Sequence, residues 1–184
     1  TITMKFDSID TFLNYGIFVI PEYQKEYSWG NEQLTDFVND LSDVEYIKEH
    51  YVGTVTLIKS GSELIGISDK NKYDIVDGQQ RITSILILIT VLVKYSKQFE
   101  YEFGDRDGDT EFHYLYISKG TRKAYIFGYD QDNPSDKYFR KHILNLDEIE
   151  GDSKESIYTE NLIKARKFFE KVVGFYLEDA SNKI

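Results

Sequence analysis

The junction Tyr73-Asp74-Ile75-Val76-Asp77-Gly78-Gln79-Gln80-Arg81, with the apolar stretch behind it, most constrains what this chain can fold into. A short β-like run ends in Asp-Gly, and a helix is expected from Gln79 to Lys97. Ile82, the run Ile85 to Ile89, and Val91 to Val93 leave that helix little polar surface. A helix apolar on nearly every side is a buried central helix. Its N-terminus is then held rigidly, which suits a functional site at the junction.

Strand, glycine turn and helix start together make a place where backbone N–H groups meet an anion. Arg81 in the first helical turn opposes the helix dipole, so a negative group, naturally a phosphate, would offset it. A purely structural alternative stands beside this. Asp77 and Gln80 have the Asp-x-x-Gln spacing of a capping box, and Gly78 could serve only the turn. Capping leaves Gln79 and Arg81 without a role, and spacing alone does not choose between the two.

The 184 residues fit one domain, or a small domain with an elaboration, and suffice for a hydrophobic core. With 15 Tyr, 12 Phe and two Pro, the composition is not that of a disordered chain. A formal net charge of −10 argues against a broad basic face that wraps DNA, though not against a local basic pocket. The acidic residues cluster around Asp105 to Glu111 and Asp147 to Glu155, as in solvated loops. Absence of cysteine removes disulfides, thiolate nucleophiles and Cys-ligated zinc, and fits a cytoplasmic protein. The longest apolar run is too short to span a bilayer, so no membrane partner is expected.

Along the chain, a short helix around Ile9, Phe12 and Leu13 precedes a strand at Ile17 to Ile20, which Pro21 ends. A polar and aromatic loop covers Pro21 to Trp29. Leu34, Phe37, Val38 and Leu41 mark an amphipathic helix over 31–47, with Ser28 as its expected N-cap. Tyr51 to Ile58 is β-rich, and Gly53 marks a bulge or a close approach. A turn is expected at Gly61-Ser62, with strands at Leu64 to Ile67 and Tyr73 to Val76. The 104–111 loop lacks the full calcium-loop pattern. Phe112 to Ile117 and Lys123 to Phe127 look extended, and helices are expected at Ser135 to Leu146 and Ser156 to Leu177. His50, His113 and His142 form no ligand spacing, so no protein metal site is expected.

Two segments, Ile20-Pro21-Glu22-Tyr23-Gln24-Lys25-Glu26-Tyr27-Ser28-Trp29 and Ile75-Val76-Asp77-Gly78-Gln79-Gln80-Arg81-Ile82-Thr83, resemble in order and spacing the N-terminal domain of GmrSD-type restriction systems. Phe127 to Ser135 and Asn161 to Phe169 resemble downstream segments of the same family. The resemblance implies an α+β, ParB/sulfiredoxin-like fold: a small mixed sheet packed on the buried central helix, with a mainly helical C-terminal extension. The expected division is a nucleotide-binding core over 1–98 and an extension over 99–184. It further implies binding, and hydrolysis in relatives, of an NTP with Mg²⁺, within a system of phage defence against modified DNA.

Carried over by the resemblance, nucleotide-binding residues are Tyr23, Gln24, Lys25, Gly78, Gln80 and Arg81, and catalytic residues are Asp77, Gln79 and Arg81. Lys25 departs from the family's arginine, keeping the charge but losing the bidentate fork. Neither a His-Asn-His signature nor the family's later Phe-x-x-Ile-Asn-x-x-Gly motif occurs before Ile184. Under the resemblance this is the N-terminal part of a longer protein. Its partners would be the nucleotide, a C-terminal nuclease domain of the same or another chain, and modified DNA through the full-length protein. The rival expectation is a non-hydrolysing module that recognises DNA or a protein through the same cleft. A nuclease within this domain ranks last, because clustered carboxylates for two-metal cleavage are missing.

Overall fold

A computed structural model describes residues 2–4, 8–42, 53–65, 68–99, 115–119, 122–145 and 155–181. The fold is mixed α+β. Its elements run β1 (Ile2–Met4), α1 (Ile9–Tyr15), β2 (Ile17–Ile20), α2 (Asn31–Ser42), β3 (Val55–Ile65), β4 (Ser68–Asp77), α3 (Gln79–Phe99), β5 (Tyr116–Lys119), β6 (Arg122–Tyr125), β7 (Phe127–Tyr129), α4 (Pro134–Tyr138) and α5 (Ile157–Ser181). Between α4 and α5 the helix widens into a π-helical turn, Phe139–Ile143.

The main sheet has five strands in the order β1-β3-β4-β2-β7. β1, β3 and β4 pair antiparallel, whereas β4, β2 and β7 run parallel. Ile17 sits opposite Lys72 and Ile20 opposite Tyr129. The C-terminal ends of β4, β2 and β7 therefore lie together at one end of the sheet, the end where parallel sheets hold ligands. β5 and β6 form a separate hairpin, in which the Tyr116 and Tyr125 rings meet edge to face.

The expected central helix is α3. Ile82, Ile85, Leu86, Ile87, Ile89, Val91 and Val93 are buried in one cluster with Phe18, Leu57 and Ile75 from the sheet. Burying a side chain of this size contributes about 1.5–3 kcal/mol, so α3 anchors the fold. Leu162, Ala165 and Phe169 of α5 belong to the same cluster. Tyr176 near the end of α5 is half exposed and meets Ser42 of α2 through its hydroxyl at 2.9 Å. Residues on both sides of the expected division at residue 98 share this cluster, and β7 completes the sheet begun by β2.

Three local expectations are corrected. The chain does not turn at Gly61-Ser62; β3 continues through both, with a register shift between Lys59 and Gly61 that absorbs an extra residue as a bulge. Ser28 does not cap α2. Gly30 takes the capping position, its carbonyl accepting from Leu34 N and its N–H donating to Gln33 Oε1. The helix expected over 135–146 starts at Pro134 under an Asn133 cap and ends at Ile143 with Leu144 as its C-cap, beyond which Asn145 has a left-handed φ of 55°. The acidic 105–111 stretch, the calcium-like loop, His50 and His113 lie outside the described residues.

Candidate functional site

β4 delivers Asp77 to the C-terminal end of the sheet, and α3 begins two residues later. The reversal depends on Gly78, whose φ of 88° disfavours any side chain. A Cβ there would also stand 2.9 Å from the Thr54 carbonyl oxygen. Asp77 is exposed, and its Oδ1 accepts the Gly78 N–H at 2.9 Å. The Ile82 N–H donates to Gly78 O at 3.1 Å in the first turn of α3. The Gln79 and Gln80 amides precede it at the helix start, where backbone N–H groups favour an anion.

The 21–30 loop, which leaves the end of β2, lies across this helix start. The two sequence motifs meet where Gln79 Nε2 donates to Gln24 Oε1 at 3.4 Å. Gln80 does not complete a capping box. Its Oε1 accepts Ser28 N–H at 2.8 Å, and its Nε2 donates to the Glu26 carbonyl at 2.9 Å. One amide thus replaces both bonds the loop backbone would otherwise make with water.

Further bonds fix the same loop from behind. Tyr27 is buried with its hydroxyl 2.8 Å from Ser84 Oγ, and its carbonyl accepts from Asn161 of α5 at 3.2 Å. Glu26 Oε1 accepts from Ser135 Oγ at 2.5 Å. Burial pushes the Tyr27 phenol above its ordinary range, against the opposing Ser84 bond. Tyr129 at the end of β7 is shifted in the same direction, by burial first and then by the Glu26 charge. Both phenols remain protonated across neutral pH, so neither acts as a general base.

The third strand end is set by Asp136. Its Oδ1 accepts Tyr129 N–H at 3.0 Å, and its Oδ2 accepts from Arg140 Nε at 2.8 Å. Gly128 leaves room for this pair, since a Cβ there would stand 2.9 Å from Asp136 Oδ1 and 3.0 Å from Arg140 Nη2. Burial raises the Asp136 carboxyl despite the guanidinium that holds it down.

The aromatic residues of the first motif part company. Tyr27 is core, Trp29 packs on Phe37 with ring centroids 5.7 Å apart, and Tyr23 is 70% exposed. Lys25 is exposed on the same loop. Arg81 is half-buried and lies against Gly53, whose φ is 116°. Asp77, Gly78, Gln79 and Arg81 therefore gather at one helix start with Gln24 beside them, while Gln80 faces the loop backbone. Gly53, Ser84, Ser135 and Asn161 were not singled out as site residues from the sequence. Gly53 carries a signal as a glycine within a β-rich stretch, and Ser135 and Asn161 lie in the two downstream segments that resemble the family.

Among the described residues, no three His, Asp or Glu side chains are grouped to hold a metal ion. His142 packs on Tyr138 with ring centroids 4.3 Å apart. Among the described residues, no helix is long and apolar enough to cross a membrane.

No curated protein matches the chain. A family profile described as the N-terminal domain of GmrSD restriction endonuclease matches residues 7–184, nearly the whole sequence. On that match the chain belongs to the GmrSD restriction endonuclease N-terminal domain family.

Proposed function

We propose that this domain binds, and hydrolyses, a nucleoside triphosphate at the C-terminal ends of β4 and β2. The observation that carries the proposal is the Gln79–Gln24 contact. It brings the two polar motifs, 55 residues apart in sequence, to one helix N-terminus. In this reading the Gln79 and Gln80 amides meet a phosphate at the helix start. Arg81 pairs with phosphate oxygens, and Lys25 adds positive charge from the loop. Tyr23, exposed on that loop, offers a face for the base. Gln80 holds the loop in place through the Glu26 and Ser28 backbone.

Mg²⁺ fits as an ion carried chiefly by the triphosphate, because Asp77 is a single exposed carboxylate with one oxygen on Gly78 N–H. Mg²⁺ commonly binds through one or two carboxylates with phosphate oxygens and water. The ion would supply charge neutralisation on the phosphates. Asp77 and Gln79 would orient water for attack on the γ-phosphorus, the bond to the bridging oxygen would break, and Arg81 would stabilise the developing charge. The ParB/sulfiredoxin-like kinship of the sheet belongs to the same proposal, as does control of a nuclease domain in a phage-defence system. The family name supports that setting.

Phosphate release from each of the four NTPs with Mg²⁺ tests the hydrolytic part. Release that disappears in Arg81→Ala supports it. Salt-sensitive DNA binding by a chain that releases no phosphate from any NTP supports the non-hydrolysing module instead.

A further inference from the structure

Among the described residues, Gly53 and Gly78 are the glycines with left-handed backbone, at φ 116° and 88°. They come from separate segments and meet at one place. Thr54 O and Val55 lie against Gly78, at 2.9 Å and 3.3 Å from where its Cβ would be. A Cβ on Gly53 would overlap Arg81 Nη1 and stand 3.3 Å from Arg81 Cζ. The main chain at 53–55 is therefore enclosed by the Gly78 turn and the Arg81 guanidinium.

An arginine side chain is long and loses much rotamer freedom when it is held in one position. Contact with bare backbone at Gly53 limits where the Arg81 guanidinium can lie and keeps it beside the Gly78 turn. Any side chain at 53 would occupy that seat and would also strain the backbone. Arg81 is the flexible partner, so it would move first.

We propose that Gly53 is a positioning residue for Arg81, and that residues 53–54 form a further wall of the nucleotide site. This rests on the nucleotide reading for its ligand, but not for its geometry. Gly53→Ala should weaken nucleoside triphosphate binding about tenfold, the scale of one charge-assisted hydrogen bond. Gly61→Ala, within the following strand β3, is the control, because a Cβ there meets nothing within 4 Å.

The direct test is the Arg81 Nε–H nuclear magnetic resonance signal of the nucleotide-free chain, identified by its loss in Arg81→Lys. It should move in Gly53→Ala and stay in Gly61→Ala. An unmoved signal in folded Gly53→Ala overturns the proposal. Should that variant fail to fold, Arg81→Ala tests the contact from the other side. The backbone amides of Gly53 and Thr54 should then shift while that of Gly61 stays, and unshifted Gly53 and Thr54 amides overturn it. A moved Arg81 signal in a chain that binds no nucleotide supports the positioning role and sinks the nucleotide reading alone.

Discussion

Gln80 accepts the backbone N–H of Ser28 at 2.8 Å, joining the first turn of the central helix to a loop 52 residues earlier. The other end of the same amide donates to the Glu26 carbonyl, so one side chain bonds the backbone of the loop that carries Gln24 and Lys25 at two points. Gln80→Ala leaves both backbone groups in partly buried surroundings without that partner. It should destabilise the domain by about 1–3 kcal/mol, measured by urea unfolding. Gln80→Glu keeps the acceptor for Ser28 and loses the donor to Glu26, so it should fall between. Equal stability of Gln80→Ala and wild type would contradict the brace.

Gly78→Ala should cost about 1–3 kcal/mol through its left-handed backbone, and the nearby Thr54 carbonyl adds to that cost. Gly61→Ala should lie within about 0.5 kcal/mol of wild type, as at an unconstrained surface site. Thermal unfolding of the two variants side by side separates them. If they melt together, Gly78 does not hold the left-handed turn.

Much of this arrangement was legible in the sequence. The strand–glycine–helix junction and the buried α3 follow from hydrophobic pattern and turn chemistry, which act over a few residues. What escaped is non-local. Ser28 has the chemistry of a cap, but its N–H goes to Gln80, and Gly30 takes the capping position. Asp77 and Gln80 have capping-box spacing, yet Gln80 is drawn to the Glu26 and Ser28 backbone. Gly61 suggests a turn, but it pairs with Lys72 just past a bulge and the strand continues. The seats that Gly53 and Gly128 provide for Arg81, Asp136 and Arg140 exist only once distant segments pack together.

Lys25 is exposed, so Lys25→Ala should change stability by no more than about 0.5 kcal/mol. Its effect should appear in ligand affinity, as a loss that shrinks at high salt because exposed charges are screened. Lys25→Arg should retain affinity. Titration of Mg²⁺–NTP at low and high salt reads this directly, and salt-independent, wild-type affinity in Lys25→Ala would remove the residue from the site.

His142 is held below its ordinary value of 6.5, by burial first and then by Lys141 and Arg166, with Glu155 opposing. A depressed folded value means that the folded state binds the proton less well than the unfolded state. Its contribution to stability is present above 6.5 and is lost as pH falls through the folded value. The melting temperature should therefore drop as pH falls from 6.5 towards the folded value, and drop less steeply in His142→Gln. An identical pH slope in the variant would show that other groups carry the effect.

The central claim is that a nucleoside triphosphate binds where Gln79 meets Gln24 and Arg81 flanks Gly78. Calorimetric titration of wild type and Arg81→Ala with each Mg²⁺–NTP tests it most directly. The account predicts binding of at least one nucleotide by wild type, weakened about tenfold or more in folded Arg81→Ala. Equal affinity in the two proteins, or no binding of any nucleotide to wild type, would contradict it.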